Sequence, residues 1–153
     1  MSLTSIIIPV YNESESIAAL YQELCLYCTN EVEIILVDDG SKDTTLELIT
    51  TIANKDKRIK CISLSRNFGH QNALMAGMDH ARGEQIIIMD GDLQHPPALI
   101  PSMLSVLQNG ADIVITKRNK TAEIGAGKKL LGKLFYTFIN SISDTPIEAN
   151  VAD

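Results

Sequence analysis

Five short apolar runs, separated by helical stretches, constrain this chain more than any other feature. They are SIIIPV (5–10), VEIILVD (32–38), IKCISLS (59–65), EQIIIMD (84–90) and ADIVITK (111–117). Each is rich in β-branched residues and nearly continuous in apolar character. A strand with one wet face alternates polar and apolar residues; a strand covered on both faces does not. The runs therefore predict a mostly parallel sheet with helices on both sides.

The intervening segments agree. Ser14 or Ser16 is placed to cap a helix carrying Ile17, Leu20, Tyr21, Leu24 and Cys28 on one face, and Ser41 to cap a helix over 42–54 with Asp43 in its first turn. HQNALMAGMDHA (70–81) fits a third helix. PPALIPSMLSVLQNG (96–110) opens on proline and closes on Asn109–Gly110, the expected order of start and stop signals. Strand and helix alternate, so the class is α/β with right-handed crossovers. No internal repeat or second domain is visible. After Thr116 the alternation ends. KRNKTAEIGAGK (117–128) reads as a basic loop and KLLGKLFYTFINSIS (129–143) as an amphipathic helix. Its wide apolar stripe suits core packing, and a membrane-facing helix has the same pattern. DTPIEANVAD (144–153) shows no closing element, so the chain reads as cut rather than finished.

At 153 residues the chain fits one domain with a real core, and no run approaches the ~20 apolar residues of a membrane-spanning helix. No secretory signal pattern is visible, which points to a reducing, cytoplasmic setting. Cys25 and Cys28 form a C-x-x-C inside a helical pattern, but no second Cys/His pair follows to complete a zinc site. The net charge of −6 argues against nucleic acid as the main partner. The charge is uneven: residues 117–133 hold six basic side chains against Glu123 alone. That window is either a solvated face or a patch for phosphates or an anionic membrane surface.

Three polar clusters follow strands: Tyr11-Asn12-Glu13, Asp38-Asp39-Gly40-Ser41, and Asp90-Gly91-Asp92 with Gln94. In an open α/β sheet the ligand crevice lies outside the carboxyl ends of the strands, so three clusters at one edge predict one site. Asp90 and Asp92, at i and i+2 on a strand-to-turn exit, can converge on one side where the backbone bends, which Gly91 permits. Two adjacent carboxylates repel unless a cation joins them, and hard oxygen donors select Mg²⁺ or Mn²⁺ over zinc. Gln94 can add a carbonyl oxygen. Mg²⁺ usually completes its shell with substrate phosphates, so the pair predicts a phosphate-bound metal. Asp38 and Asp39 suit a ribose hydroxyl or base N–H, Tyr11 offers a face for the base, and Pro9 fixes the turn. No glycine-rich dinucleotide loop or P-loop is present. Lys117 and Arg118 are the natural phosphate ligands. His95 follows the metal motif as a neighbour of the ligands or as a plain turn residue. His70 sits at a helix start and His80 near a helix end, with no nucleophile beside either.

IPVYNE (8–13), LVDDGSKDTT (36–45), SRNFGHQNALMAGMDHARG (65–83), MDGDLQHPP (89–97) and KLFYTFIN (133–140) together resemble glycosyltransferase family 2, and within it the polyisoprenyl-phosphate glycosyltransferase branch. The resemblance implies a GT-A fold and an inverting transfer of sugar from a UDP- or GDP-sugar to a lipid phosphate. By matching motifs, Pro9, Tyr11, Glu13, Val37 and Asp39 would hold the nucleotide. Asp90, Asp92 and Gln94 would hold the metal, with Gly91 close to the donor. Arg118 would contact the diphosphate, helped by basic residues from Lys129 to Lys133. Gly91 stands where many relatives have alanine. The resemblance also implies that this chain is the donor-binding part of a longer, membrane-associated enzyme. Residues 1–118 would bind the nucleotide sugar, 119–143 would form the basic loop and amphipathic helix, and the acceptor side would be incomplete. An apolar face left by the absent segments is compatible with a homo-oligomer.

Two other readings compete. A family 2 enzyme acting on a saccharide hydroxyl would need a general base. A phosphorelay receiver would use Asp90 as phospho-acceptor with Thr116-Lys117, but its acidic pair belongs on the first strand, and here a full strand–helix unit precedes it. A sugar-nucleotide-forming transferase would show glycines after the first strand, and YNESES has none.

Overall fold

The computed structural model describes residues 3–29 and 31–116. They form β1 (Thr4–Val10), α1 (Ile17–Tyr27), β2 (Val32–Asp38), α2 (Thr45–Lys55), β3 (Ile59–Ser63), α3 (His70–His80), β4 (Gln85–Ile88), a 3-10 turn at Pro97–Leu99 and α4 (Ile100–Gln108). The four strands make one parallel sheet in the order β3-β2-β1-β4. One compact unit covers residues 1–105 and a second begins at 106.

The two central apolar runs are covered on both faces, as their composition requires, whereas β3 is only partly buried and β4 leaves Ile86 and Ile88 exposed. β1 and β2 are buried at every position. On one face Ile6, Ile8, Ile34 and Leu36 pack against Ile17, Leu20 and Leu24 of α1, Ile49 of α2 and Ile100 of α4. On the other, Ile7, Ile35 and Val37 pack against Ala73 and Leu74 of α3. Burying each such side chain contributes about 1.5–3 kcal/mol. Gly77 sets how closely α3 lies on the sheet, since a Cβ there would be 2.4 Å from Ile7 Cγ2.

β1 tolerates Pro9 for a positional reason. Ile7 O accepts from Met89 N and Val10 O accepts from Asp39 N, so alternate residues face opposite neighbours. The N–H that Pro9 lacks would face β4, whose pairing already ends at Ile7↔Ile88.

Several expectations are corrected. No strand forms over Ala111–Thr116, where Ile113 is 80% and Ile115 62% exposed. A parallel strand needs a hydrogen-bonded neighbour and cover on both faces, and among the described residues this stretch has neither. Ser16 stands at the N-cap of α1 as expected, but its side chain makes no capping bond, and Ser41 does not cap α2. Ser16 Oγ turns back to donate to Glu13 Oε2 at 2.6 Å and makes no bond to the α1 amides. Ser41 lies too early, because α2 starts at Thr45, and Asp43 takes the capping role by accepting from Thr45 N at 3.0 Å. The expected phosphate ligands Lys117, Arg118 and Lys129, and the helix at 129–143, lie outside the described residues.

Cys25 and Cys28 behave as helix residues. Cys25 is exposed, whereas Cys28 is buried at the C-cap of α1, and that burial pushes its thiol up to about 11. Arg58 fixes this corner: its Nη1 donates to Cys28 O at 2.9 Å and its Nη2 to Asp56 Oδ2 at 2.7 Å.

Candidate functional site

Loops at the carboxyl ends of the strands are joined by side chain to backbone bonds. After β1, Asn12 adopts a left-handed conformation (φ 54°). Its N–H donates to Ser41 Oγ at 2.9 Å and its Oδ1 accepts from Lys42 N at 2.8 Å. Glu13 N donates to Thr45 Oγ1 at 2.8 Å. The loop after β2 is joined in turn to the loop after β3. Asp39, almost fully buried, accepts from Phe68 N at 2.7 Å and Gly69 N at 2.9 Å. Gly40 (φ 67°) fits between them because a Cβ would lie 2.4 Å from Arg66 C.

Beyond β4 the chain follows β1 as far as Met89, then turns at Asp90-Gly91-Asp92. Gly91 lets this turn press on β1, since a Cβ would be 2.7 Å from Val10 Cγ1. Gln94 N donates to Asp92 Oδ1 at 2.9 Å, and Leu93 between them takes φ 63°. Strained backbone of this kind collects at ligand sites.

These loops enclose a cavity of 430 Å³. Of the residues expected at the site, Pro9, Tyr11, Glu13, Asp39, Asp90, Gly91 and Asp92 line it. Val37, Asp38 and Gln94 do not line it. The Val37 side chain is in the core with Ile7, and Asp38, also buried, accepts from Ser41 N at 3.2 Å. The sequence reading missed Asn67, Gly69 and His70, which complete the wall. The signal was available in glycine followed by a polar helix start directly after a strand, but a lone histidine there reads as ordinary capping.

Asp90 stands between two imidazoles. His95 Nδ1 is 3.3 Å from its Oδ2 and accepts the Asp90 N–H at 3.3 Å, while His70 Nε2 is 3.7 Å from its Oδ1. His95 Nε2 is buried without a hydrogen-bond partner among the described residues.

The carboxylates of Glu13, Asp39, Asp90 and Asp92 share this cavity, and among the described residues no lysine or arginine lines it. Such a site calls for a cation with its ligand. Asp90 and Asp92 are hard oxygen donors, and no third His, Cys, Asp or Glu joins them in a closed cluster among the described residues. Two carboxylates that leave the remaining positions to a ligand and water fit Mg²⁺ or Mn²⁺.

The sequence pattern of glycosyl transferase family 2 matches residues 5–148. The chain belongs to glycosyl transferase family 2. It is 42% identical to the prophage bactoprenol glucosyl transferase homolog of Escherichia coli (strain K12), over 97% of this chain and 50% of that relative. It therefore spans about half the length of the curated relatives it matches. Among solved structures it resembles S. aureus TarS residues 1–349 in complex with UDP (25% identity, TM-score 0.65, covering 81% of this chain and 38% of that one). It also resembles the mannosyltransferase PcManGT from Pyrobaculum calidifontis in complex with GDP-Man and Mn²⁺ (23% identity, TM-score 0.65, covering 76% and 36%). The family 2 architecture here is the GT-A fold. Among the described residues no helix is long and apolar enough to cross a membrane.

Proposed function

We propose that this chain is the donor-binding part of an inverting glycosyltransferase that moves a sugar from a UDP- or GDP-sugar to a polyisoprenyl phosphate. One observation carries the reading: Asp90 and Asp92, at the mouth of β4, open onto the same cavity as Tyr11 and Asp39. In this reading a nucleoside diphosphate would lie with its base and ribose toward Tyr11 and Asp39 and its phosphates toward the paired acids. The similarity to a bactoprenol glucosyl transferase homolog supports the lipid phosphate as acceptor.

Asp90 and Asp92, with Gln94 on the same turn, would hold the Mg²⁺ or Mn²⁺, which when bound neutralises charge on the diphosphate. In the transfer an acceptor phosphate oxygen donates its electron pair to the anomeric carbon. The bond from that carbon to the diphosphate oxygen breaks, and its electrons leave with the nucleoside diphosphate. A phosphate monoester is already mostly ionised near neutrality, its second pKa being roughly 6. The acceptor then needs no strong general base. Asp39 keeps the β3–α3 loop against the nucleotide, and Gly91 keeps the acidic turn against β1. By sequence, Arg118 and Lys129 would add positive charge toward the diphosphate, and residues 119–143 would serve the acceptor side. A lipid acceptor places the whole protein at the cytoplasmic membrane surface.

The test is calorimetric titration with UDP and GDP, with and without Mn²⁺. One of the two binds in a metal-dependent manner, and Asp92→Ala weakens it at least ten-fold. Binding indifferent to metal, or unchanged in Asp92→Ala, rejects the reading.

A further inference from the structure

We propose that His70 is a phosphate-binding residue of this site, donating the N–H of its Nε2 to the diphosphate of the sugar donor. The inference rests on the donor reading above and adds a ligand to it.

Position comes first. β3 and β4 are not neighbours in the sheet, since β2 and β1 lie between them. Yet α3, which follows β3, packs across β2 and β1 through Ala73 and Leu74 on Ile7, Ile35 and Val37. The close approach at Gly77 holds it there. This return brings the first residue of α3, His70, to within 3.7 Å of Asp90, beyond the end of β4. The start of α3 is fixed by the two backbone bonds from Phe68 and Gly69 to Asp39.

Availability comes second. A separation of 3.7 Å exceeds hydrogen-bond range, so Asp90 does not occupy Nε2. The His70 side chain is 51% exposed, whereas that of His95, on the other side of Asp90, is 19% exposed and lies against the acidic turn. The two imidazoles differ in kind: one supports the turn and the other opens onto the cavity.

Chemistry comes third. Four carboxylates line the cavity, and among the described residues no lysine or arginine does. A diphosphate there needs N–H donors as well as a cation. Asn67 and His70 are the lining side chains able to supply N–H groups among the described residues, and Asn67 Oδ1 already accepts from Gly69 N at 3.1 Å. A phosphate held beside Asp90 would come near His70 Nε2, which is 3.7 Å from Asp90 Oδ1. The first turn of α3 adds its partial positive charge in the same direction.

The test measures two affinities in the full chain. One is for UDP or GDP with saturating Mn²⁺, by calorimetry. The other is for Mn²⁺ alone, by electron paramagnetic resonance. His70→Ala weakens the nucleoside diphosphate about ten-fold, as expected for a charge-assisted hydrogen bond, and leaves Mn²⁺ affinity unchanged. His70→Gln, which keeps an N–H donor, recovers part of the loss. His80→Ala, at the other end of α3, changes neither affinity. An unchanged nucleotide affinity in His70→Ala overturns the assignment while the donor reading stands. So does an equal loss of Mn²⁺ affinity, which would mean that His70 acts only through Asp90. If the unaltered chain binds neither nucleotide with Mn²⁺, the donor reading falls and this assignment with it.

Discussion

Asp39 holds Gly69 by its backbone: the carboxylate of the first accepts the N–H of the second at 2.9 Å, thirty residues along the chain. With the 2.7 Å bond from Phe68 N, this fixes the β3–α3 loop to the end of β2. Asp39→Ala leaves the Phe68 amide without its acceptor and the Gly69 amide with Asn67 Oδ1 alone, and should cost about 1–3 kcal/mol in a denaturant titration. Nucleotide affinity should fall further than that of Asp39→Asn, whose amide oxygen still accepts one bond. Equal affinities for the two variants would show that the carboxylate acts on the ligand alone.

Gly40→Ala attacks the same junction from the backbone side. The φ of 67° is unfavourable for alanine, and the new Cβ would meet Arg66 backbone atoms at 2.4 and 2.6 Å. Backbone cannot swing aside as a side chain can, so the β3–α3 loop must shift. The melting temperature should drop by several degrees, and nucleotide binding should weaken at least ten-fold. A variant that melts and binds normally would contradict the close packing.

The opposite end of the sheet supplies a pH prediction. Glu33, nearly buried on β2, accepts from Ser5 Oγ at 2.6 Å and Arg82 N at 2.6 Å and pairs with Lys60. Burial pushes its carboxyl up, but the Lys60, Ser5 and Arg82 hydrogen bonds outweigh burial and hold it down at about 2, against an ordinary 4.5. A folded-state value below the unfolded one contributes stability above pH 4.5, lost as pH falls toward 2. The difference corresponds to roughly 3 kcal/mol. Thermal melts between pH 7 and 2.5 should show an acid limb that Glu33→Gln flattens, with a lower melting temperature at neutral pH. An identical acid limb in the variant would remove Glu33 from the cause.

The three cysteines should separate by reactivity. Cys25 is exposed, while burial raises the thiols of both Cys28 and Cys61. A thiol reagent at pH 8 should label Cys25 quickly in the native chain and the other two only on unfolding. Rapid native labelling of Cys28 would show that the end of α1 is open.

The runs over β1 and β2 were legible because burial on both faces leaves a composition mark that needs no partner to recognise, and β3 and β4 carry the same mark although they are covered less completely. The helix read over 70–81 differs from α3 by one residue for a similar reason: glycine marks its start and apolar spacing its length. ADIVIT carries the same mark, yet composition records only willingness to be covered, and Ile113 and Ile115 are exposed. Ser16 stands at the N-cap of α1 as its spacing predicts, but its hydroxyl, like that of Ser41, bonds within the loops, to Glu13 and Asn12 respectively, a competition that spacing alone does not reveal. The acidic turn was readable from Asp90-Gly91-Asp92 itself. His70 was not, because its place beside Asp90 depends on α3 crossing two strands, and strand order is absent from local sequence. Val37 shows the reverse: its side chain lies in the core with Ile7.

The bonds between loops also bear on when a binding site exists at all. Asn12 reaches Ser41 and Asp39 reaches Phe68, each over 29 positions, so no short piece of chain holds a finished wall of the cavity. Closure over such separations comes late in the assembly of a parallel sheet. A donor nucleotide added to refolding chains would thus find nothing to hold until the barrier is crossed. It would slow the escape of native molecules and leave the speed of their formation untouched.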